Sequence, residues 1–404
     1  MNPRRPTFDD LDVVLDFFPP EAMPEFAYGL VKRTYTLDPR RLRSAPVQPL
    51  FHDIRRPSDE RPRWSPGSDF WPTKTATDVA VRGSARAPEG RPTRSQVVHL
   101  RVGDAIKSVA VFGDRSVTFG AGGRPRFGAP EPYLEIPMVW SRAYGGWDPR
   151  VPYPEGPTTV AELSRREFDH PGAYPRNPFG RGYVVVDAPC EGIVLPNLED
   201  PEHLLAPETL ITGDPRRWFT QPLPACLEFT NALMFHRLCW LGGEAWFHPP
   251  EGTQLAEIAA GVLPRDFHRL RGHLVDAPIV LQEGAIGQVF APLAGGTPIV
   301  VEGMSPDRPE LRFALPAPPH LEFELEGTFA RAEAVLTNVL VEPDHARVSL
   351  TYVARLTALP RVFIPGIHAK IPLALEVDGL RVEYETPPTV RELRRRGMGL
   401  GSVS

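Results

Sequence analysis

The fold is decided by the stretch TDVAVRGSARAPEGRPTRSQVVHLRVGDAIKSVAVFGDRSVTF, which runs from Thr77 to Phe119. Short segments rich in valine and other apolar residues alternate in it with the turn sequences PEGRP, GDAIK and GDR. Segments of this length, bounded by glycine, proline and aspartate, are typical of β-strands joined by tight turns. The stretch therefore predicts a meander of strands in an antiparallel sheet.

Strand patterns also lie on both sides of this stretch. Upstream, AYGLVKRTYTL over Ala27–Leu37 predicts a strand. Downstream, LEFELEGTFA alternates apolar and acidic residues from Leu321 to Ala330. The segment AVLTNVLVE-PDHA-RVSLTYVARL, over Ala334–Leu356, predicts a hairpin. Tyr183–Val186 is the one strand-like segment in the middle of the chain.

Proline is the unusual feature of the composition. The chain of 404 residues contains 49 prolines, more than twice the usual ~5%. Because proline fixes φ and lacks a backbone donor, it interrupts helices and central strands. This excludes a helical bundle, a coiled coil and a helical solenoid. Two helices are predicted, a short one after Thr158 or Thr159 and an apolar one over Cys226–Leu241.

These patterns predict a mainly β (α+β) protein, with antiparallel, sandwich-like units, long proline-rich ordered loops and a few short helices. The length suggests two or three compact units. We expect an N-terminal antiparallel β domain over residues 1–125 and a proline- and glycine-rich loop region over residues 126–225, packed on the sheets. A C-terminal β-rich domain with one helix is expected over residues 226–404.

Charge and cysteine content limit the class of protein. The net charge is −5 and the isoelectric point is near 6.2, so a dominant nucleic-acid surface is not expected. Three widely spaced cysteines form no disulfide framework. Acidic residues at Asp9, Asp10 and Asp12 interrupt any secretory signal, and no apolar run approaches the ~20 residues of a membrane span. We therefore expect a cytoplasmic protein with neither a nucleic-acid nor a membrane partner.

Sequence motifs for catalysis or metal binding are weak. Gly120–Gly123 follows a strand, but Pro125 comes next, so a glycine turn is favoured over a phosphate-binding loop. His236 and Cys239 could face one metal ion, but no spacing supplies the remaining ligands. A buried cysteine and a core histidine are therefore favoured. The chain carries none of the common hydrolase, metalloprotease or kinase motifs. We expect no cofactor, no metal and no enzymatic activity.

Three loop motifs stand out instead: WSRAYGGWDP (Trp140–Pro149), RNPFGRG (Arg176–Gly182) and LPNLEDP (Leu195–Pro201). Asparagine and aspartate next to proline preset turns, and arginines can pair with carboxylates of neighbouring loops. Two interpretations follow: the polar residues brace an irregular region, or they form a recognition face. Including the aromatic loop Gln48–Lys74, the candidate partner-binding residues are Trp64, Trp71, Trp147, Asp148, Arg176, Asn177, Arg181, Asn197, Glu199 and Asp200.

The order and spacing of RAYGGWD, RNPFGRGY and LPNLEDP resemble those of the bacterial family known as domain of unknown function 2169. The meander from Thr77 is similar to the N-terminal block of that family. Downstream, CWLGGEAWF and GVLPRDF resemble its later blocks. The resemblance covers roughly residues 27 to 270.

This resemblance implies an adaptor, or chaperone, of the bacterial type VI secretion system. Its expected partners are a cognate toxin effector with a PAAR-like N-terminal domain and the spike protein onto which the effector is loaded. Two other functions remain open. One is a hydrolase acting on carbohydrate or peptide, with Asp148, Glu199 and Asp200 as its carboxylates. The other is a structural subunit of a phage-like particle.

Overall fold

The computed structural model describes residues 7–8, 11–18, 26–38, 41–50, 69, 74–120, 124–152, 172–187, 190–230, 284–325, 327–356 and 373–383. Several predicted features lie outside the described residues. They are the helix after Thr158, Trp64, Trp71, the possible metal ligands His236 and Cys239, and most of the helix predicted from Cys226.

The largest sheet has eight strands. Seven of them lie side by side, and β4 pairs with β3 off this path. In spatial order they are β1 (Thr7–Phe8), β2 (Leu11–Phe18), β3 (Phe26–Asp38), β21 (Arg347–Leu356), β20 (Val335–Glu342), β5 (Thr77–Val81) and β15 (Val289–Phe290), with β4 at Arg41–Ser44.

A five-stranded and a four-stranded sheet accompany it. The five-stranded sheet has the order β14 (Leu198–Glu199), β8 (Ala105–Phe112), β7 (Ser95–Val102), β16 (Pro298–Glu302) and β17 (Glu310–Ala314). The four-stranded sheet has the order β19 (Thr328–Ala332), β18 (Leu321–Leu325), β22 (Leu373–Val377) and β23 (Leu380–Glu383). An Arg33–Asp378 ion pair of 2.5 Å joins this last sheet to β3.

Three short strand pairs and several 3₁₀ turns complete the described residues. The pairs are β6 (Ser84–Arg86) with β11 (Glu135–Pro137), β9 (Val117–Phe119) with β10 (Pro125–Phe127), and β12 (Tyr144–Gly145) with β13 (Arg181–Gly182). The 3₁₀ turns are Pro88–Gly90, Trp140–Arg142, Pro207–Thr209, Pro215–Thr220 and Pro343–His345. A strand, β10, follows residues 120–123, whereas a phosphate-binding loop would be followed by a helix. Residues 121–123 of the predicted glycine turn lie outside the described residues.

The mainly β fold class is confirmed. The strand predicted at Ala27–Leu37 is β3, and the predicted C-terminal hairpin is β20–β21, closed by the 3₁₀ turn at Pro343–His345. The alternating segment from Leu321 forms β18 and β19. These predictions are correct because each depends on strand-forming residues and turn signals that are local in the sequence.

The pairing of the strands differs from the predicted meander. Among the strands of the Thr77–Phe119 stretch, β7 and β8 pair with each other, whereas β5 lies parallel to β20 and β6 pairs with β11. Strands from residues 1–125 and from residues 226–404 share two sheets, through β3 with β21 and β7 with β16. The sequence pattern predicts separate domains for those segments. Alternation specifies which residues form strands, but it does not specify their distant partners.

Two further predictions are corrected. Cys226–Thr230, the start of the predicted apolar helix, is not helical. Its backbone is held by tertiary bonds instead, because the carbonyl of Leu227 accepts from Val81 N at 2.8 Å and from Gln288 Nε2 at 2.7 Å. The strand predicted at Tyr183–Val186 is reduced to an isolated bridge, and β13 lies just before it.

The main hydrophobic core joins the sheets to the irregular middle of the chain. We call residues 124–152, 172–187 and 190–230 the loop layer. Its aromatic side chains, among them Trp140, Tyr144 and Trp218, are buried in the same cluster as Val79 and Leu350 of the eight-stranded sheet. The described residues of the loop layer are therefore packed into the core.

Candidate functional site

The three loop motifs lie against one another. The first and second pair as parallel strands β12 and β13, and Gly146 N donates to the carbonyl of Asn177 at 2.8 Å. The third motif joins them where Asn197 N donates to the carbonyl of Arg142 at 2.9 Å. Motifs that are far apart in sequence thus form one unit.

Glycine is required where the motifs meet. Gly145 has φ 141° and Gly146 has φ 87°, values that side chains disfavour. A Cβ at Gly145 would lie 2.1 Å from the carbonyl oxygen of Asn177, and one at Gly146 would lie 2.5 Å from that of Gly180. The Gly-Gly pair therefore permits backbones to approach more closely than any other residue would allow.

Two fully buried asparagines bind the backbone of this unit. Asn177 Nδ2 donates to the carbonyls of Trp140 at 2.9 Å and Tyr144 at 3.0 Å. Asn197 Nδ2 donates to the carbonyl of Phe112 at 3.0 Å and to Asp114 Oδ1 at 2.9 Å. Buried carbonyls outside a sheet need such partners. The two side chains replace the hydrogen bonds that a strand ladder would supply.

Asp148 is another brace, with an exposed fraction of 1%. Its carboxylate accepts from the Arg150 guanidinium at 2.7 Å and from the backbone N–H groups of Val185 and Val186 at 2.9 and 3.1 Å. Burial opposes its charge, but the bonds from Arg150 and from the two backbone groups outweigh burial and lower the pKa of Asp148. The carboxylate is therefore ionised and committed to its own chain.

Glu199 lies in a different environment. Its side chain is buried beside Arg115, and Oε2 accepts from Leu205 N at 2.7 Å. Burial raises the pKa of Glu199, although Arg115 and Leu205 N act in the opposite direction. Its neighbour Asp200 is partly exposed and accepts from Glu202 N at 3.0 Å. These two carboxylates also serve local turns.

The aromatic residues of the motifs differ in burial. Trp140 is buried, and its Nε1 donates to the carbonyl of Phe229 at 2.7 Å, whereas Trp147 is only half-buried. Tyr144 and Tyr174 lie edge to face, with ring centroids 5.2 Å apart. The buried aromatic residues of the loop motifs are thus Trp140 and this tyrosine pair. Trp147, which the sequence predicts as a partner-binding residue, is less buried.

The two arginines of the second motif also differ. Arg176 is buried, with its guanidinium carbon 5.0 Å from the Trp218 ring centroid. Arg181 is half-buried near the surface, and its Nε donates to the carbonyl of Ser141 at 3.0 Å. Burial and the neighbouring charge of Arg142 lower the pKa of Arg181. One arginine therefore braces the core, and the other lies at the surface beside a second arginine.

The predicted partner-binding residues are accordingly of two kinds. Five are buried and bonded within the chain, namely Asp148, Arg176, Asn177, Asn197 and Glu199. The other described ones, Trp147, Arg181 and Asp200, are partly exposed. Their role in partner binding stays a prediction, but for the buried five the contacts support the bracing interpretation. Arg142, which sequence reasoning did not include, lies inside the first quoted motif.

A second polar cluster, also missed, crosses the eight-stranded sheet. Its members are directly opposite one another on five adjacent strands and have exposed fractions of at most 5%. We call them the polar row: Asp12, Lys32, Thr351, Asn338 and Asp78. The chain has four lysines, and two of them, Lys32 and Lys74, are buried at this row.

Side chains of the polar row are linked to one another mainly through two buried neighbours, Lys74 and Asp69. Lys74 Nζ lies 2.7 Å from both Asp78 Oδ2 and Asn338 Oδ1. The Asp69 carboxylate accepts hydrogen bonds from Lys32 Nζ at 2.6 Å and from Thr351 Oγ1 at 2.7 Å. The small number of lysines in the composition was the one sequence signal for this cluster. The row joins residues from opposite ends of the chain, and no local motif shows that such residues come together.

Within the part of the chain that the structure describes, no three His, Cys, Asp or Glu residues are arranged to hold a metal ion. The described residues likewise include no helix long and apolar enough to cross a membrane. Cys190 and Cys226 are free and buried, and burial raises the pKa of the Cys226 thiol to about 12. That thiol donates to the carbonyl of Met138 at 3.4 Å, so its described contact is structural.

Comparison with known proteins places the chain in a family. Residues 24–353 match the family described as "Uncharacterized protein conserved in bacteria (DUF2169)". No curated protein and no solved structure matches the chain. Since the match spans most of the sequence and includes all three loop motifs, the chain belongs to the DUF2169 family.

Proposed function

We propose that this DUF2169 protein is an adaptor of the bacterial type VI secretion system. It binds a cognate toxin effector through the PAAR-like N-terminal domain of that effector and helps to load it onto the secretion spike. In the cytoplasm it also acts as a chaperone that covers the apolar surface of the effector. Family membership over residues 24–353 supports the motif resemblance on which this proposal depends.

The observation that carries a binding role is the rigidity of the loop layer. Glycines at close approaches, buried asparagines and Asp148 fix loops that have almost no strand ladder. A surface fixed before binding loses less conformational entropy when a partner docks. Arg142 and Arg181 are partly exposed on this rigid layer, where a protein partner can reach them.

A binding role suits the carboxylates better than the hydrolase alternative does. Glycosidase chemistry requires two carboxyl groups facing a substrate across a cleft. Asp148 and Glu199 have exposed fractions of 1% and 2%, and both are bonded to their own chain. Among the described residues, no observation specifically favours catalysis or a phage-like structural role.

Co-purification tests the proposal. The protein is co-expressed with the toxin effector encoded beside it, and with the same effector lacking its N-terminal domain. We expect the full-length effector to be retained and the truncated effector to be lost. Failure to retain the full-length effector would contradict the adaptor function. Equal retention of both forms would contradict recognition through the N-terminal domain.

A further inference from the structure

We infer that Arg142 and Arg181 together form a receptor for a carboxylate on an acidic segment of a protein partner. The inference deepens the proposed adaptor function and rests on it for the identity of the partner. It concerns the chemistry that is recognised, which is a planar, singly charged oxygen anion presented by an aspartate, a glutamate or a chain terminus.

Rigid backbone holds the two arginines together. Arg142 ends the 3₁₀ turn Trp140–Arg142, and Arg181 begins β13. Arg181 N donates to the carbonyl of Ala143 at 3.0 Å, and Arg181 Nε donates to the carbonyl of Ser141 at 3.0 Å. The second arginine is thus fixed to the turn that carries the first, so the pair needs little ordering before it binds.

Much of the donor capacity of the pair is unused. Arg142 Nη1 donates to Asn197 Oδ1 at 2.9 Å and lies 3.5 Å from Asp114 Oδ1. Arg181 uses Nε. Among the described residues, the remaining guanidinium N–H groups of both side chains have no acceptor. Guanidinium groups bind carboxylates through paired N–H donors, and the unused N–H groups of these two side chains are donors of that kind.

The charges of the cluster are also unbalanced. Two guanidinium groups share one nearby carboxylate, Asp114, whose side chain is 58% exposed and therefore well solvated. The lowered pKa of Arg181 reflects both burial and repulsion from Arg142. A bound anion relieves this repulsion. A single carboxylate neutralises the cluster, whereas a doubly charged phosphate would also face Asp114.

The surroundings of the pair fit a protein segment. Val139 lies directly before the 3₁₀ turn and has an exposed fraction of 36%, and Ser141 within the turn is exposed. An apolar side chain next to two arginines offers contact area beside the charged group of a partner, which is typical of protein recognition surfaces. We therefore assign the receptor to an acidic protein segment rather than to a free anion.

Fluorescence anisotropy with a labelled oligoglutamate peptide tests the receptor on the full chain, with a labelled oligoglutamine peptide as the neutral probe. We expect oligoglutamate to bind more tightly and Arg181→Gln to weaken it about tenfold. Arg181→Lys keeps the charge but loses the paired N–H donors of the guanidinium group, so its loss of affinity for oligoglutamate should be intermediate. Arg312→Gln is the matched control, because Arg312 is an exposed arginine paired with Glu310 on a different sheet.

Three binding results, two with the peptides and one with inorganic phosphate, would overturn the inference. They are equal affinity for the two peptides, unchanged affinity of a folded Arg181→Gln variant, and binding of inorganic phosphate at this pair without binding of oligoglutamate. If Arg181→Gln does not fold, the affinity of Arg181→Lys for oligoglutamate is compared with that of the unmodified protein instead, and an unchanged affinity overturns the inference. Thermal melting of each variant establishes that it is folded.

Effector capture separates this inference from the proposed function. If the unmodified protein retains the effector and Arg181→Gln retains it equally, the receptor is wrong and the adaptor function stands. If the unmodified protein retains no effector, the adaptor function fails, and the peptide measurement still decides whether the pair binds carboxylates. Loss of capture in folded Arg181→Gln, with normal capture by Arg312→Gln, supports both.

Discussion

The loop layer and the eight-stranded sheet both bury polar side chains, but they use them differently. In the loop layer, Asn177 and Asp148 bond mainly to backbone groups. In the sheet, side chains such as Lys74 and Asn338 bond to one another. Irregular backbone lacks ladder partners and needs side chains to satisfy it, whereas a sheet satisfies its own backbone. A buried polar side chain is therefore a structural necessity in the first region and not in the second.

This difference indicates what the polar row contributes. Burying ion pairs costs desolvation energy, and a buried pair often adds no net stability over a well-packed apolar pair. A strand that slipped by one residue would move its member of the row to the opposite face, where the main core lies. We therefore interpret the row as a device that fixes register among β2, β3, β21, β20 and β5.

The largest effect is expected in the sheet. Lys74→Met removes the cation beside Asp78, a residue with 0% exposure, and leaves that carboxylate without its cation. We expect a loss of about 3–5 kcal/mol in the free energy of unfolding, measured by urea denaturation.

Replacing both members of this ion pair sharpens the comparison. Lys74→Met combined with Asp78→Leu removes both charges, and we expect it to recover most of the loss. If the double variant is as unstable as the sum of the single variants, the row is an ordinary stabilising network, and the distinction between the two regions fails.

The next effect is expected in the loop layer, at Gly145→Ala. Its Cβ would strike the carbonyl of Asn177, and its φ is unfavourable for alanine, so we expect about 3 kcal/mol of destabilisation. Gly192→Ala is the matched control, because Gly192 also has positive φ (81°) but no atom within 4 Å of its Cβ position. It should cost only about 1 kcal/mol by the same denaturation measurement. Equal losses would show that close approach is unimportant.

Asp148→Asn should have a smaller effect. The amide keeps the volume of the side chain, but it loses the charge-assisted bonds from Arg150 and from the backbone of Val185 and Val186. We expect about 2 kcal/mol of destabilisation at neutral pH, measured by denaturant unfolding. Asp200→Asn, at a partly exposed carboxylate, should change stability by less than about 0.5 kcal/mol. Comparable losses at the two positions would contradict the bracing role of Asp148.

The smallest effect is a pH dependence of opposite sign at two carboxylates. The folded pKa of Asp148 is lowered, so its stabilisation is present above the unfolded value of about 3.9 and is lost as pH falls through the folded pKa. The folded pKa of Glu199 is raised. Its stabilisation is present below about 4.3 and is lost as pH rises through the folded pKa.

Unfolding measured between about pH 3 and pH 7 checks these signs. The destabilisation caused by Asp148→Asn should grow as pH rises, and that caused by Glu199→Gln should shrink. Parallel trends in the two variants would show that burial does not dominate at Glu199.

Several of the longer strands could be predicted, because strand-forming residues and turn signals are local properties of the sequence. The β20–β21 hairpin and β3 are examples. Pairing could not be predicted in the same way. β5 lies parallel to β20, a strand more than 250 residues later, and that choice depends on packing across the whole core. The helix predicted from Cys226 is wrong over its described residues, because tertiary hydrogen bonds at Leu227 override helix propensity.

The candidate site was predicted in part. The three motifs predict a braced loop region, because glycine, asparagine and proline favour specific turn conformations. Sequence alone could not tell that Arg176 is buried and Arg181 is near the surface, since both are motif arginines next to turns. The pairing of Arg142 with Arg181 and the polar row both depend on residues brought together by the fold.

The central claim is that the motif residues have two roles. The buried residues brace the loop layer, and the partly exposed Arg181 recognises the partner. The most direct test compares Arg176→Gln with Arg181→Gln for both melting temperature and effector capture. We expect Arg176→Gln to lower the melting temperature and Arg181→Gln to leave it unchanged while weakening capture about tenfold. A folded Arg181→Gln variant that captures the effector with unchanged affinity would contradict the claim.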